Sequence, residues 1–412
     1  MKRAKLTVAA LLVSGISAFG ASIDHIQNYT PEYGANPAQQ GAINTSSTVY
    51  FNPAGISKLQ EGIYVTGGVQ YAFGEQSITN GKKYKADLSS PVPNLALYKV
   101  DGNGDGLYWT MGAIGGGASL HYKNGIPLGK MFGIDVNKIL NNDVKGENRY
   151  LQTTFGKVWK INNQWSASAA VRGIYGVRRL EAKANFKKPN SLFNGEASID
   201  SERTAYGAGF QLGLNYAPTD RLNIGMRYDS QVNLNFKTKA NIDDNSKILG
   251  KTNISTVLLG TYKVYKDGTK ERRDLPAILA LGASYKVTDR WTTYVGGNYY
   301  FNKQAKMDKI QSSVDYDNGW EVSVGSEYQL TPKWSWLVGG NYADTGAKGD
   351  HFSPTEYALD SKMAATGFKY KQNDSTEWIV SYTHYFYDTK TYNGNTYKKD
   401  IRSVGLGFTK RF

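Results

Sequence analysis

Apolar and polar residues alternate at every second position through most of the chain after about residue 60. Trp378, Val380, Tyr382 and Phe386, for example, share one such face. This period places successive side chains on opposite faces of a β-strand. A tilted strand that crosses a bilayer needs about 9–11 residues, whereas strands of soluble sandwiches have about 5–6. Most of the alternating segments reach the longer length, so the pattern predicts membrane-spanning strands.

About fourteen alternating segments follow one another, joined by connections that are alternately short and long. The segments are 61–74, 91–100, 107–122, 149–161, 164–181, 203–217, 221–237, 275–287, 290–302, 319–330, 333–345, 358–372, 376–390 and 400–412. The long connections include 75–90, 182–202 and 238–274. An even strand number with short turns at one end and longer loops at the other is typical of bacterial outer-membrane barrels. We therefore predict an all-β fold, a transmembrane antiparallel β-barrel of about 14 strands formed by residues 61–412.

The ends of the segments also indicate a membrane location. Trp165, Trp291, Trp334 and Trp378 each lie just after a short turn, and amphipathic rings concentrate at membrane interfaces. The chain ends in an alternating strand that closes with Phe412, which resembles the C-terminal signature of outer-membrane barrels. The predicted location is the bacterial cell outer membrane, crossed many times by one chain.

Composition excludes several classes of protein. The chain has 412 residues, with 45 Gly, 30 Tyr, 11 Pro and no Cys. Without cysteine there is no disulfide scaffold and no thiolate metal site, and we expect neither a cofactor nor a metal. The mean hydropathy of −0.49 argues against a bundle of membrane helices. Length alone would suggest two or three domains, whereas the strand pattern indicates one barrel.

The first residues are typical of a secretory signal. Basic residues precede an apolar stretch at 6–13, and small residues follow it. We expect a signal peptide at 1–20, with cleavage before Ala21.

Residues 21–60 do not alternate and are polar and rich in small residues. A fourteen-stranded barrel leaves room in its interior for a plug, so we expect these residues to form an N-terminal hatch. They contain Asn52, Pro53, Ala54 and Gly55 in sequence. The stretch from Gly41 to Leu59 around this motif resembles the hatch of the long-chain fatty acid and hydrocarbon transporters of the FadL/toluene-porin type.

The resemblance continues in matching order along nearly the whole chain after the signal. It includes Val92-Pro93-Asn94, Trp165-Ser166, Tyr228 to Phe236, Leu275-Pro276 and the final strand. It implies passive uptake of long-chain fatty acids or similar hydrophobic compounds, with aromatic hydrocarbons as further candidates. It also implies a gate at Asn52 to Gly55 and release through a lateral gap at a kinked third strand.

The third strand carries three consecutive glycines, Gly115, Gly116 and Gly117. Glycine inside a strand often marks a bulge or bend, so we assign the implied kink to these residues. Ordinary glycines in a glycine-rich barrel are the alternative.

The loop at 123–148 is unusually apolar for a surface loop, and exposed apolar patches often mark binding sites. We expect a capture groove for the ligand there, formed by Ile126, Leu128, Met131, Phe132 and Ile134. The alternative is that these residues pack beneath their own loop.

A fatty acid also needs a partner for its carboxylate. Alternation places Arg172, Arg178 and Arg227 on the inner face of the barrel, where a guanidinium can bind a carboxylate bidentately. The alternative is structural pairing with the hatch or with inward-facing carboxylates, for which Asp229, Glu321 and Glu327 are the candidates.

Other functions remain open. A barrel enzyme is disfavoured because the four histidines show no catalytic spacing, and a general porin because a hatch would block its pore. A surface adhesin would use the long loops. The loops hold most of the basic excess, including Arg272, Arg273, Lys398 and Lys399, which indicates contact with outer-membrane lipids or solvent rather than nucleic acid. We expect a monomer.

Overall fold

The computed structural model describes residues 24, 26–115, 119–131, 134–307, 316–349, 352–354 and 356–412. The predicted signal peptide, Gly116, Gly117 and Phe132 lie outside these ranges.

Fourteen antiparallel strands form one closed barrel, and hydrogen bonds between the first and the last strand complete the circle. The strands are β1 (Gly62–Asn80), β2 (Lys82–Val100), β3 (Gly106–Gly115 and Leu120–Tyr122), β4 (Leu140–Lys160), β5 (Trp165–Phe186), β6 (Glu196–Tyr216), β7 (Leu222–Asp229 and Asn235–Asp244), β8 (Ile278–Thr288), β9 (Trp291–Tyr300), β10 (Gly319–Gln329), β11 (Trp334–Asp344), β12 (Ser361–Asn373), β13 (Thr376–Tyr387) and β14 (Asn395–Arg411).

The helices are short and belong to the N-terminal segment and the loops. They are α1 (Pro31–Ala35), α2 (Thr48–Phe51), α3 (Val136–Ile139) and α4 (Ile254–Thr261), with 3₁₀ turns at Pro53–Lys58, Lys263–Tyr265 and Asn302–Gln304. The loops add short strands at Lys130–Met131, Ile134–Asp135, Phe193–Asn194, Lys247–Ile248, Lys270–Arg272 and Lys390–Tyr392. Within the described part of the chain, no helix is long and apolar enough to cross a membrane.

The outer face of the wall carries an apolar band. Val171 and Val324, in the middle of their strands, are 66% and 61% exposed, as expected for side chains that face lipid. Trp291 and Trp334 are the first residues of β9 and β11 and are also exposed. The predicted fourteen-stranded barrel with tryptophans at one end is therefore confirmed.

Several strands are longer than the sequence pattern indicated. The predicted loop 75–90 is wrong, because β1 and β2 continue through it and are joined at Gly81 alone, where φ is +66°. β5 and β6 likewise extend into 182–202. Beyond the apolar band the outward faces of these strands are polar, as in the Lys85–Glu75 pair at 2.7 Å, so the outward apolar pattern that marks a membrane strand ends before the strand does.

The N-terminal segment, residues 26–60, lies inside the barrel. Asn52 Nδ2 donates to Asn215 Oδ1 at 2.6 Å, Thr383 Oγ1 donates to the Gly34 carbonyl at 2.8 Å, and most of the segment is buried. Strands on opposite sides of the barrel thus hold the segment, which fills much of the lumen.

Inward-facing glycines let the segment approach the wall. A Cβ at Gly225 would overlap the Gln40 carbonyl oxygen, and one at Gly325 would overlap the Asn36 side chain. A Cβ would also overlap the segment at Gly282, Gly296, Gly339 and Gly367. These glycines therefore allow close approach of the N-terminal segment to successive strands.

Candidate functional site

An apolar pocket lies at the end of the barrel that carries the long loops, between α4 and the inner faces of β4, β5 and β6. Its empty volume is about 700 Å³, including the space at its open mouth. The apolar lining includes Ile126, Val144, Leu180, Ile199, Leu258 and Leu259. Such a pocket suits the apolar part of a ligand.

Local sequence holds α4 over this pocket. The Asp244 carboxylate accepts hydrogen bonds from the Ser246 and Ser255 backbone N–H groups at 2.8 Å each, which joins the end of β7 to the first turn of the helix. Ile254 packs into an apolar cluster with Val136 of α3 and Phe186 of β5.

Two of the predicted capture-groove residues lie at the same pocket. Ile126 and Leu128 line it. Met131 and Ile134 belong to the paired short strands of the same loop. Sequence reasoning missed α4, although its apolar residues recur at helical spacing within the predicted loop 238–274.

The Asn52 to Gly55 motif is anchored to three neighbouring strands. Asn52 bonds to β6 through Asn215, and Ser166 Oγ of β5 donates to the Ala54 carbonyl at 2.7 Å. Pro53 opens the 3₁₀ turn that follows. The Arg227 guanidinium of β7 donates to the carbonyl oxygens just before the motif, at 2.8 and 2.9 Å.

α1 brings a carboxyl group into the lumen near this motif. Glu32 is 2% exposed, and its Oε1 has no hydrogen-bond partner among the described residues. Burial raises the pKa of Glu32 to about 7, while the positive charge of Lys369 acts in the opposite direction.

The pairing of the third strand is irregular at Gly115, the first of the three glycines to which the kink was assigned, while Gly116 and Gly117 lie outside the described residues. The pairing of β3 with β4 shifts register between Ala113 and Gly115. Pairing of β3 with β2 is described up to Gly112–Asn94 and again from Leu120–Leu88. Two β2 residues in the interval are Pro91 and Pro93, which have no N–H group for a ladder.

The N-terminal segment meets the wall beside this register shift. The Gln27 backbone N–H donates to the Ile114 carbonyl at 2.7 Å, and a Cβ at Gly115 would come within 3.1 Å of the Asp24 carbonyl oxygen. Two small cavities lie beside this contact, and both are lined by Asn28, Ile114 and Gln152.

The three predicted arginines face inward and are each nine-tenths or more buried. Arg172 donates to Gln152 Oε1 at 2.8 and 3.0 Å. Arg227 pairs with Asp229 at 3.1 Å. Of the other two predicted carboxylates, Glu321 accepts a bond from Gln27 at 2.6 Å, and Glu327 pairs with Lys369 at 3.1 Å.

Arg178 belongs to a buried ion cluster that joins four segments of the chain. Its guanidinium lies 3.1 Å from Asp24 and 3.5 Å from Glu356. Arg273 pairs with the same two carboxylates, at 2.8 Å from Asp24. The assignment of Arg273 to a solvated loop surface is therefore wrong: it is 1% exposed, and loop sequence carries no alternation that would reveal an inward side chain.

Comparisons with known proteins agree with this architecture. A FadL homologue of Pseudomonas aeruginosa matches with a TM-score of 0.69 at 16% identity, covering 94% of this chain and 99% of that one. The toluene transporter TodX of Pseudomonas putida matches with a TM-score of 0.68 at 15% identity, covering 96% and 100%. The toluene transporter TbuX of Ralstonia pickettii matches with a TM-score of 0.64 at 15% identity, covering 94% and 99%.

The TM-scores show that these proteins share the fold of this chain. No curated protein sequence matches the chain. A family model described as "outer membrane protein transport protein (OMPP1/FadL/TodX)" matches residues 145–410, which is more than half of the chain. The chain therefore belongs to the OMPP1/FadL/TodX family of outer membrane transport proteins, and it is a multi-pass β-barrel of the bacterial outer membrane.

Proposed function

We propose that the protein is a passive channel for long-chain fatty acids or similar hydrophobic compounds, with aromatic hydrocarbons among the candidates. The observation that carries this proposal is the apolar pocket beneath α4. Three strands of the barrel wall, β4, β5 and β6, line this pocket. A molecule bound there therefore already lies within the loop end of the barrel. The solved relatives described as toluene transporters support a hydrophobic substrate.

In this proposal residues 21–60 act as the hatch and Asn52 to Gly55 as its gate. The buried N-terminal segment supports the assignment because it leaves little room for a water-filled pore, which also weighs against a general porin. A substrate would pass from the pocket along the small cavities beside Asn28 and leave through a lateral gap at β3. The prolines of β2 and the register shift at Gly115 support a weak point in the wall there.

Arg172, Arg178 and Arg227 extend the proposal to the carboxylate of a fatty acid. Each of these arginines has hydrogen-bond or ion-pair partners within the protein. A substrate carboxylate would therefore bind by replacing one of those partners. Bidentate geometry makes such an exchange chemically reasonable for a guanidinium.

Uptake into proteoliposomes tests the pocket. Ala182 lines it from the inner face of β5, so Ala182→Trp should fill it and lower the uptake rate of a labelled fatty acid or toluene at least about fivefold, the effect of about 1 kcal/mol. Ala167→Trp places the same ring on the lipid face of the same strand and should leave uptake unchanged. Equal uptake by both variants would remove the pocket from the pathway.

Release needs a separate measurement. Replacing Gly115, Gly116 and Gly117 by valine should favour a continuous strand, slowing transfer of bound substrate into the membrane while leaving binding to detergent-purified protein intact. Gly173→Val in the continuous strand β5 is the control. Unchanged transfer in the triple variant would count against lateral exit.

A further inference from the structure

Two carboxylates from distant parts of the chain share one pair of buried arginines. Asp24 Oδ1 lies 3.1 Å from Arg178 Nη1 and 2.8 Å from Arg273 Nη2. Glu356 Oε1 contacts the Nη2 atoms of the same two arginines. Both arginines are almost fully withdrawn from water. The two carboxylates therefore draw on the same two guanidinium groups.

Glu356 is anchored independently of the N-terminal part of the chain. It belongs to the loop between β11 and β12, where its backbone pairs with that of Ser353 at 2.9 and 3.0 Å. Lys390 Nζ donates to the Asp360 carboxylate of the same loop at 2.6 Å. None of these bonds involves the N-terminal segment. Glu356 can therefore stay beside the arginines when Asp24 leaves them.

Apolar packing also holds this loop inside the mouth of the barrel. Phe352, Tyr357 and Ala358 belong to one buried cluster with Tyr397 of β14. The ring centres of Phe352 and Tyr397 lie 5.5 Å apart in an edge-to-face arrangement. Among the described residues, this cluster contains none from residues 24–60. The loop thus supplies a fixed carboxylate, whereas the carboxylate of Asp24 moves with the N-terminal part of the chain.

The signs of the charges determine how the two carboxylates affect each other. Asp24 and Glu356 are both negative and contact the same arginines, so each weakens the attraction that holds the other. A buried arginine that loses its carboxylate partner is strongly destabilising. With Glu356 in place, both arginines keep a carboxylate partner when Asp24 leaves. Removing the charge of Glu356 should therefore make the departure of Asp24 less favourable.

We propose that Glu356 is a positioning residue that lets the chain around Asp24 undock, because it keeps Arg178 and Arg273 paired after Asp24 has left. The loop and the N-terminal part of the chain are then coupled sites. A change that pulls Glu356 away from the arginines strengthens their hold on Asp24. This coupling goes beyond the proposed transport function and does not depend on which substrate is carried.

A single cysteine can report undocking, since the chain contains no cysteine of its own. Ile26 is buried two residues after Asp24, so a thiol at Ile26→Cys should react with a water-soluble maleimide mainly in the undocked state. In purified full-length protein with this reporter, Glu356→Gln should slow labelling at least about tenfold, and Asp24→Asn should accelerate it at least about tenfold. Asp317→Asn removes a loop carboxylate whose partners are exposed, and this control should leave the rate unchanged.

The double variant isolates the coupling between the two carboxylates. In the Asp24→Asn background, Glu356→Gln should change labelling less than about twofold, because the charge that it acts on is absent. Faster labelling in Glu356→Gln alone would make Glu356 a clamp, and an unchanged rate would show no coupling; either result overturns the inference. These measurements need no substrate. The proposed channel function fails separately, if the unmodified protein takes up neither a fatty acid nor toluene.

Reciprocity provides a second measurement if Glu356→Gln fails to fold, as judged by heat-dependent gel mobility. Ala358 is buried in the loop two residues after Glu356, so a thiol at Ala358→Cys reports opening of the loop. Asp24→Asn should slow its labelling at least about tenfold, because a coupling free energy acts equally in both directions. Faster or unchanged labelling of this thiol would overturn the inference.

Discussion

Gly225→Ala should loosen the N-terminal segment without breaking the barrel. A Cβ at this position would overlap the Gln40 backbone oxygen and lie 2.5 Å from Asn52 Nδ2. The backbone around Gln40 cannot move aside easily, because the adjacent Gly41 carbonyl accepts bonds from Asn223 at 3.0 Å and Ser284 at 2.8 Å. The added methyl group must therefore displace the segment.

Two contributions set the size of the effect. Adding a methyl group to a packed interior typically costs about 1–3 kcal/mol. Displacing Asn52 also breaks its bond to Asn215, and leaving such buried groups unpaired costs about 1–3 kcal/mol. The sum of the two lower limits is roughly 2 kcal/mol. A free-energy change of this size would raise the ratio of undocked to docked segment about 30-fold.

Two assays report undocking directly. Liposomes carrying Gly225→Ala should leak a small hydrophilic dye faster than those with unmodified protein, and protease should cleave within residues 26–60 more readily. Gly146→Ala is the control, because a Cβ at Gly146 meets nothing within 4 Å. Leak and cleavage equal to those of the control, in a protein with normal heat-dependent gel mobility, would refute the described contact between the segment and β7.

Three further outcomes can be measured by unfolding or proteolysis in vesicles. Arg178→Gln breaks a buried ion cluster and should lower the free energy of unfolding by up to about 3–5 kcal/mol. Arg179→Gln, whose partners are exposed, should lower it by less than about 1 kcal/mol. Equal losses in the two variants would contradict the burial of Arg178. Val324→Arg at mid-strand should lower the free energy of unfolding by about 2–4 kcal/mol, and Leu330→Arg near the turn should lower it by about 0–1 kcal/mol. A larger loss at Leu330 than at Val324 would contradict the placement of the apolar band. The pKa of Glu32 is raised from 4.5 to about 7 in the docked segment. The contribution of protonated Glu32 to the stability of docking is therefore fully present below pH 4.5 and is lost as pH rises through about 7. Protease cleavage of residues 26–60 should increase between pH 5 and 8, and this increase should be smaller in Glu32→Gln.

Membrane strands were predictable from sequence because lipid imposes a strict condition. Outward side chains in the bilayer are predominantly apolar or aromatic, so the alternation of Trp320, Val322 and Val324 is readable without a structure. Strand extensions beyond the bilayer meet no such condition. Arg179 and Asp200 pair across β5 and β6 at 2.8 Å, and this ladder of charges has the composition of a loop.

The interior was less predictable because it depends on distant segments meeting. Alternation placed Arg178 on the inner face, but Asp24 and Arg273 join it only through the fold. Lys399 lies between the buried residues Tyr397 and Ile401 on the inner face of β14, but the sequence pattern places the start of this strand only at residue 400. Glycines at inward mid-strand positions, such as Gly225, were the available sign of close approach by another segment.

The polarity of the interior bears on the direction in which an apolar substrate would leave. A path straight down the axis would cross the N-terminal segment where Asn52 bonds to Asn215 and Asn223 donates to the Gly41 carbonyl. Parting such pairs for a ligand that cannot hydrogen-bond costs about 1–3 kcal/mol for each group left unpaired. Towards β3 the cavities have a mixed lining, in which Asn28 and Gln152 lie beside Ile114 of a buried apolar cluster. The proposed exit through the wall would leave the Asn52–Asn215 and Asn223–Gly41 bonds in place, and it would not require the hatch to leave the barrel.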